Sequence, residues 1–182
     1  TKIAQSPDYK KYMNRYNVIH LDISTFWDSY KENITEKIVE YIYKDFKHVF
    51  GDELNYEDSL SYNLMMIYQK TKTPFVVIDE WDCVIRNSED TELVHQYLQF
   101  LHSLFKSEES KTFLALAYIT GILPIKKIKD ESALNNFSEY TMLKSKPITQ
   151  YYGFTEDEVK VLCERFNMDF ERTQPKFRAR AR

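Results

Sequence analysis

The run Phe75-Val76-Val77-Ile78 opens directly behind Pro74 and closes on two acids, Asp79 and Glu80. Unbroken apolar residues of β-forming type do not leave one face for water, so the run predicts a strand buried on both faces. Strands of that kind belong to parallel sheets covered by helices. Two further β-rich runs flank it in sequence. They are Asn17 to Ser24 (NVIHLDIS) and Thr112 to Ile119, the latter again continuously apolar and ending at Thr120-Gly121.

Between the runs the apolar period changes from two to between three and four, the mark of amphipathic helices. One helix is predicted over 32–50 through Ile34, Ile38, Ile42, Phe46 and Val49, stopped by Gly51. A second is predicted from about Glu57 to Lys70 through Leu60, Leu64, Ile67 and Tyr68. A third fits Thr91 to Lys106 through Leu93, Tyr97, Leu101 and Phe105. Tyr140 to Leu143 reads as a short last strand. Thr155 to Phe166 reads as a helix opened by the capping box Thr155-x-x-Glu158. The order strand, helix, strand, helix, strand predicts right-handed crossovers and an α/β fold with a parallel sheet in three layers.

In such sheets ligands sit beyond the carboxyl ends of the strands. The residues there are Asp79, Glu80, Trp81 and Asp82 after the central run, and Thr120 after the next. Four apolar residues followed by Asp-Glu have the form of a Walker B motif. In that chemistry Asp79 orients Mg²⁺, usually through a water, and Glu80 polarises the water that attacks the γ-phosphate. A solvated strand end produces acids as well, so the string alone does not decide between the two. Thr120 stands where ATPases of this class place a small polar γ-phosphate sensor, although a Thr before Gly121 also suits a simple turn.

Composition narrows the remaining classes. The 182 residues are 43% hydrophobic, enough for one core and an attached piece. The net charge of −3 divides unevenly: Glu171 to Arg182 hold five basic residues against one acid, a local +4 that leaves −7 for the rest. An acidic body gives no general reason to expect nucleic-acid binding, and the basic end fits a nucleic-acid arm by composition only. Cys83 and Cys163 are far apart with no histidine grouped near either, which argues against zinc and leaves a reduced, cytoplasmic pair. No apolar run reaches the ~18 residues of a membrane span, and no signal peptide is visible. The first residue is Thr1, which suits a trimmed start.

Taken together, these residues resemble the family of predicted AAA-type ATPases. Tyr16–Ser24 (YNVIHLDIS), Pro74–Asp82 (PFVVIDEWD), Tyr118–Ile125 with the later SALNNF of Ser132–Phe137, and Tyr152–Val159 (YGFTEDEV) carry the resemblance. It runs from about Tyr9 to Phe170. It implies a P-loop NTPase fold of the ASCE type, with Asp79 and Glu80 as Walker B, Thr120 as sensor, and ATP with Mg²⁺ as ligands. It also implies a partial ATPase core over 1–150, the start of a helical lid over 151–170, and a basic tail over 171–182. Members often carry a nuclease-like domain, the family's link to nucleic acid.

One element of that pattern is missing from the sequence. The three glycines, Gly51, Gly121 and Gly153, begin no Gly-x-x-x-x-Gly-Lys-Ser/Thr segment. Gly121 to Lys126 comes nearest, but it lacks the second glycine and Pro124 removes an amide donor. The resemblance puts the phosphate loop and its strand ahead of Thr1. The expectation is therefore an ATPase core that does not hydrolyse ATP by itself. The competing expectation is a non-enzymatic scaffold that binds a protein partner or a second copy through its sheet edge. Metal-dependent nuclease chemistry from Asp79, Glu80 and Asp82 is disfavoured, because no lysine stands in the next strand. Arg86 reads as a solvated surface arginine, and His95 and His102 as exposed positions of one helix.

Overall fold

A computed structural model describes residues 2–124, 134, 136–141 and 154–172, with the backbone alone at Lys2 and from Val76 to Asp79. The chain divides into two compact units. One comprises Lys10–Phe137, the other Thr1–Tyr9 with Ser138–Arg182.

The larger unit holds a parallel sheet of β1 (Asn17–Leu21), β2 (Phe75–Glu80) and β3 (Leu114–Thr120), with β2 in the centre. Its register sets Ile19 beside Val77 and Ala117, and Leu21 beside Asp79 and Ile119. An irregularity at Phe75/Val76 shifts the pairing with β3 by one residue. After the short α1 (Tyr9–Tyr12), the helices of this unit are α2 (Ile23–Tyr30), α3 (Ile34–Phe50), α4 (Leu60–Thr71), α5 (Cys83–Asn87), α6 (Thr91–Lys106) and α7 (Ser110–Phe113).

The core lies on one face of the sheet. Ile34, Ile38, Ile42 and Phe46 form the buried stripe of α3, and α6 buries Leu93, Tyr97, Leu101 and Phe105 on the period read from its sequence. Phe75 lies between the two sides, its ring 6.4 Å from Phe46 and 6.0 Å, edge-on, from Phe113. Such aromatic pairs contribute beyond the area they bury. Ile19 and Leu21 belong to the same cluster.

The opposite row is open. Val18 is 59% exposed and Leu116 57%, and His20 and Tyr118 are exposed too. Burial on both faces is the expectation for the run Phe75–Ile78, whose side chains from Val76 on lie outside the described residues; the strands on either side of it, β1 and β3, leave this row open. Among the described residues one helical layer packs on the sheet, and the second layer of a three-layer fold is not among them.

Several details differ from the sequence reading, among them the starts of α3 and α4, at Ile34 and Leu60 instead of residues 32 and 57. The first strand ends at Leu21 instead of Ser24, because the Asp22 side chain accepts the amides of Ser24 (3.0 Å) and Thr25 (3.3 Å) and so starts α2. Val49, counted in the α3 stripe, is 70% exposed. Thr112 and Phe113 finish α7 before β3 begins. Gly51 ends α3 as expected, at φ 56 and ψ −132, a conformation that L side chains avoid.

In the smaller unit, α8 (Glu156–Arg165) carries both halves of its capping box. Glu158 Oε2 accepts the Thr155 amide at 2.8 Å, and Thr155 Oγ1 accepts the Glu158 amide at 3.4 Å. Val159 and Cys163 are its buried residues. Of the strand expected over 140–143, Thr141 forms an isolated bridge and the last two positions lie outside the described residues.

Candidate functional site at the carboxyl end of the sheet

Parallel strands that end together bring their last residues side by side. Glu80, the final residue of β2, is paired in register with Thr120, the final residue of β3. Asp79 stands one position earlier, between Leu21 and Ile119. Glu80 is exposed and Thr120 half-buried. The three residues singled out from sequence therefore fall on two adjacent strand ends at one edge of the sheet.

The chain beyond Glu80 turns inward. The Trp81 amide donates to Thr120 O at 3.0 Å and carries the ladder one residue past the strand. Trp81 is buried, and its carbonyl accepts the Tyr97 hydroxyl of α6 at 2.8 Å. Asp82, also buried, does not face an open site. Its Oδ2 accepts Arg86 Nε at 2.8 Å and the amides of Ile122 and Leu123 at 3.0 and 2.7 Å.

One reading is corrected here and one is refined. Asp82, grouped with Asp79 and Glu80 as an acidic cluster, is consumed by internal donors. Arg86 is a surface residue, as read from the sequence, but its guanidinium is engaged, with the side chain 32% exposed and paired to Asp82. Sequence offered one clue, the Asp-x-x-x-Arg spacing that places the pair on one turn of a helix. The 40-residue separation to Ile122 offered none.

The described start of the segment that came nearest to a phosphate loop, residues 121–124, is also accounted for. Consecutive amides after Gly121 are the kind of donor that cradles an anion, and Asp82 occupies them. Gly121 lies so close to this group that a Cβ built on it would sit 2.7 Å from both Asp82 Oδ1 and Trp81 Nε1. Glycine is required there by space.

Cys83 follows directly. Burial pushes its thiol up from the ordinary value, against the opposing effect of Asn87, whose Nδ2 lies 3.3 Å from the sulfur. It is a neutral, free thiol, as is expected of a small buried hydrophobe. His20, His48, His95 and His102 are all exposed, the last two on α6 as expected.

The donor chemistry can be compared with that of Mg²⁺. Among the described residues no group of three His, Cys, Asp or Glu side chains surrounds a common point. Mg²⁺ does not need one: it is held by one or two carboxylates, with water and phosphate oxygens completing the shell. An exposed carboxylate at Glu80 and the adjacent Asp79 position fit that pattern, and Asp82 is excluded from it. Elsewhere, an open groove of about 350 Å³ on α8 is lined by Phe154, Asp157, Glu158, Val161 and Leu162. It shares no residue with the strand ends.

Comparison with known proteins gives one match. The family model described as predicted AAA-ATPase covers residues 1–129. That span takes in Tyr16–Ser24, Pro74–Asp82 and Tyr118–Ile125, and ends before Ser132–Phe137 and Tyr152–Val159. No curated protein and no solved structure matches the chain. No helix among the described residues is long and apolar enough to cross a membrane. With more than two thirds of its 182 residues under one family model, the chain belongs to the family of predicted AAA-ATPases.

Proposed function

We propose that the strand ends of β2 and β3 are the water-activating half of an ATP site, with Asp79 and Glu80 as Walker B and Thr120 as the γ-phosphate sensor. The observation that carries this reading is the register pairing of an exposed Glu80 with Thr120 at the carboxyl edge of a parallel sheet. When bound, Mg²⁺ supplies charge neutralisation at the phosphates. Asp79 would hold it through a water. Glu80, exposed at the mouth of the site, takes a proton from the attacking water. Thr120, on the neighbouring strand, positions that water through its hydroxyl. The segment from residue 151, including α8, serves as the start of the lid.

The phosphates need a cradle of backbone amides and a lysine, and these 182 residues contain no such segment. We therefore assign them no independent ATP hydrolysis. A second reading has its own support: the open face around Val18 and Leu116 suits a scaffold that binds a protein partner or another copy of the chain.

Calorimetric titration separates the readings. MgATP added to the 182 residues should give no saturable heat at millimolar nucleotide, and saturable binding lost in Asp79→Ala would overturn the claim that a separate cradle is needed. Where a phosphate cradle is supplied, within the same chain or by a partner, Glu80→Gln should keep MgATP affinity within about threefold while hydrolysis slows ~10²–10⁴-fold, the usual contribution of a general base. Hydrolysis at the wild-type rate in Glu80→Gln removes Glu80 from the mechanism and favours the scaffold.

A further inference from the structure

We propose that Asp82 is a positioning residue that latches the turn after β3 to the turn after β2, keeping Thr120 aligned with Glu80. The inference rests on the ATP-site reading above and extends it to a residue outside the strand-end pair.

The latch spans two segments far apart in sequence. From the β2 side come Trp81 and Asp82; from the β3 side come Gly121, Ile122 and Leu123. A single oxygen, Asp82 Oδ2, takes both loop amides, at 3.0 Å from Ile122 and 2.7 Å from Leu123. Arg86 Nε approaches the same oxygen at 2.8 Å from the following helical turn. The carboxylate is 2% exposed, so water competes little for these bonds, and charge-assisted bonds of this kind are the strong ones.

Two further contacts tie the latch to the strand ends. Trp81 N–H bonds to the carbonyl of Thr120, and Tyr97 bonds to the carbonyl of Trp81. Glu80 thus stands two residues before Asp82, and Thr120 is held by a hydrogen bond to Trp81, the residue between Glu80 and Asp82. The missing side chain at Gly121 permits the approach, since a Cβ would lie 2.7 Å from Asp82 Oδ1.

An internal carboxylate therefore occupies the amides that an anionic ligand would otherwise seek, and converts them into a brace. Its effect on hydrolysis acts through the geometry of Glu80 and Thr120. Small misplacements of such groups are costly, ~10²-fold for about 1 Å.

The test uses the protein in the form that hydrolyses MgATP, and reads hydrolysis together with hydrogen exchange. Asp82→Ala should lower kcat ~10–10²-fold and leave KM within about threefold. The amides of Ile122 and Leu123 should then exchange faster than in the wild type. Asp82→Asn, which keeps an acceptor oxygen and loses the charge, should recover part of kcat. Gly121→Ala, pressing on the latch from the other side, should lower kcat in the same way. Arg86→Gln leaves both loop bonds in place and should have the smallest effect.

A folded Asp82→Ala protein with kcat within twofold of wild type would overturn the proposal. So would a rise in KM at constant kcat, or unchanged exchange at Ile122 and Leu123. If Asp82→Ala does not fold, Asp82→Asn and Gly121→Ala decide by the same criteria. Failure of the underlying site reading shows separately, as a Glu80→Gln variant that hydrolyses at the wild-type rate.

Discussion

Asp22 holds four hydrogen bonds, from the amides and hydroxyls of Ser24 and Thr25. These bonds hold its carboxyl below the ordinary value, the Ser24 hydroxyl contributing most. A carboxyl whose folded pKa is depressed stabilises the fold above its unfolded pKa of about 3.9. That stabilisation is lost as pH falls through the lower folded value. Asp22→Asn keeps an acceptor for the cap and has no charge to titrate. Wild type is therefore expected to be the more stable at pH 7, and its margin over Asp22→Asn should shrink below about pH 4. Urea midpoints at pH 7 and pH 3 check this, and a margin unchanged between them would refute it. The same residue shows where sequence pattern misleads. Ile23 continues the apolar alternation of NVIHLDIS, but the Asp22 side chain captures the next two amides and the backbone goes helical.

At the scale of the element, α3 shows how a helix is bounded. Its apolar spacing marks the stripe, and Gly51 ends it with its amide bonded to Lys47 O. No atom lies within 4 Å of a Cβ built at Gly51, so only the backbone conformation demands glycine. Gly51→Ala should cost about 1–3 kcal/mol, the range for a residue held in a sparsely populated region. Chemical denaturation measures it. A cost near zero would mean that the turn relaxes freely. Val49 met the same periodicity as Ile42 and Phe46, yet it is exposed, while Phe50, one residue further on, packs against the core. Periodicity finds the stripe; only packing finds its end.

For the larger unit as a whole, β1 and β3 each turn one row to the core and leave one open, although β3 is apolar on both. Ile19 and Leu116 test that asymmetry. Ile19, in the core, should lose ~2–5 kcal/mol on replacement by Ala. Leu116, on the open row, should change stability by less than ~0.5 kcal/mol. Equal losses in equilibrium denaturation would show that the second face is covered in solution.

The family, the strand positions, the long helices and the strand-end acids were all legible in the sequence. Each is written in local spacing: continuous apolar runs for strands, three-to-four spacing for helices, and the residues that follow a buried run for the site. The tertiary structure decided the pairing of Glu80 with Thr120, the open rows of β1 and β3, and the withdrawal of Asp82 from the acidic cluster. These depend on contacts between segments some 40 residues apart. Their free energy appears only once distant strands have been brought together, and no local spacing records it.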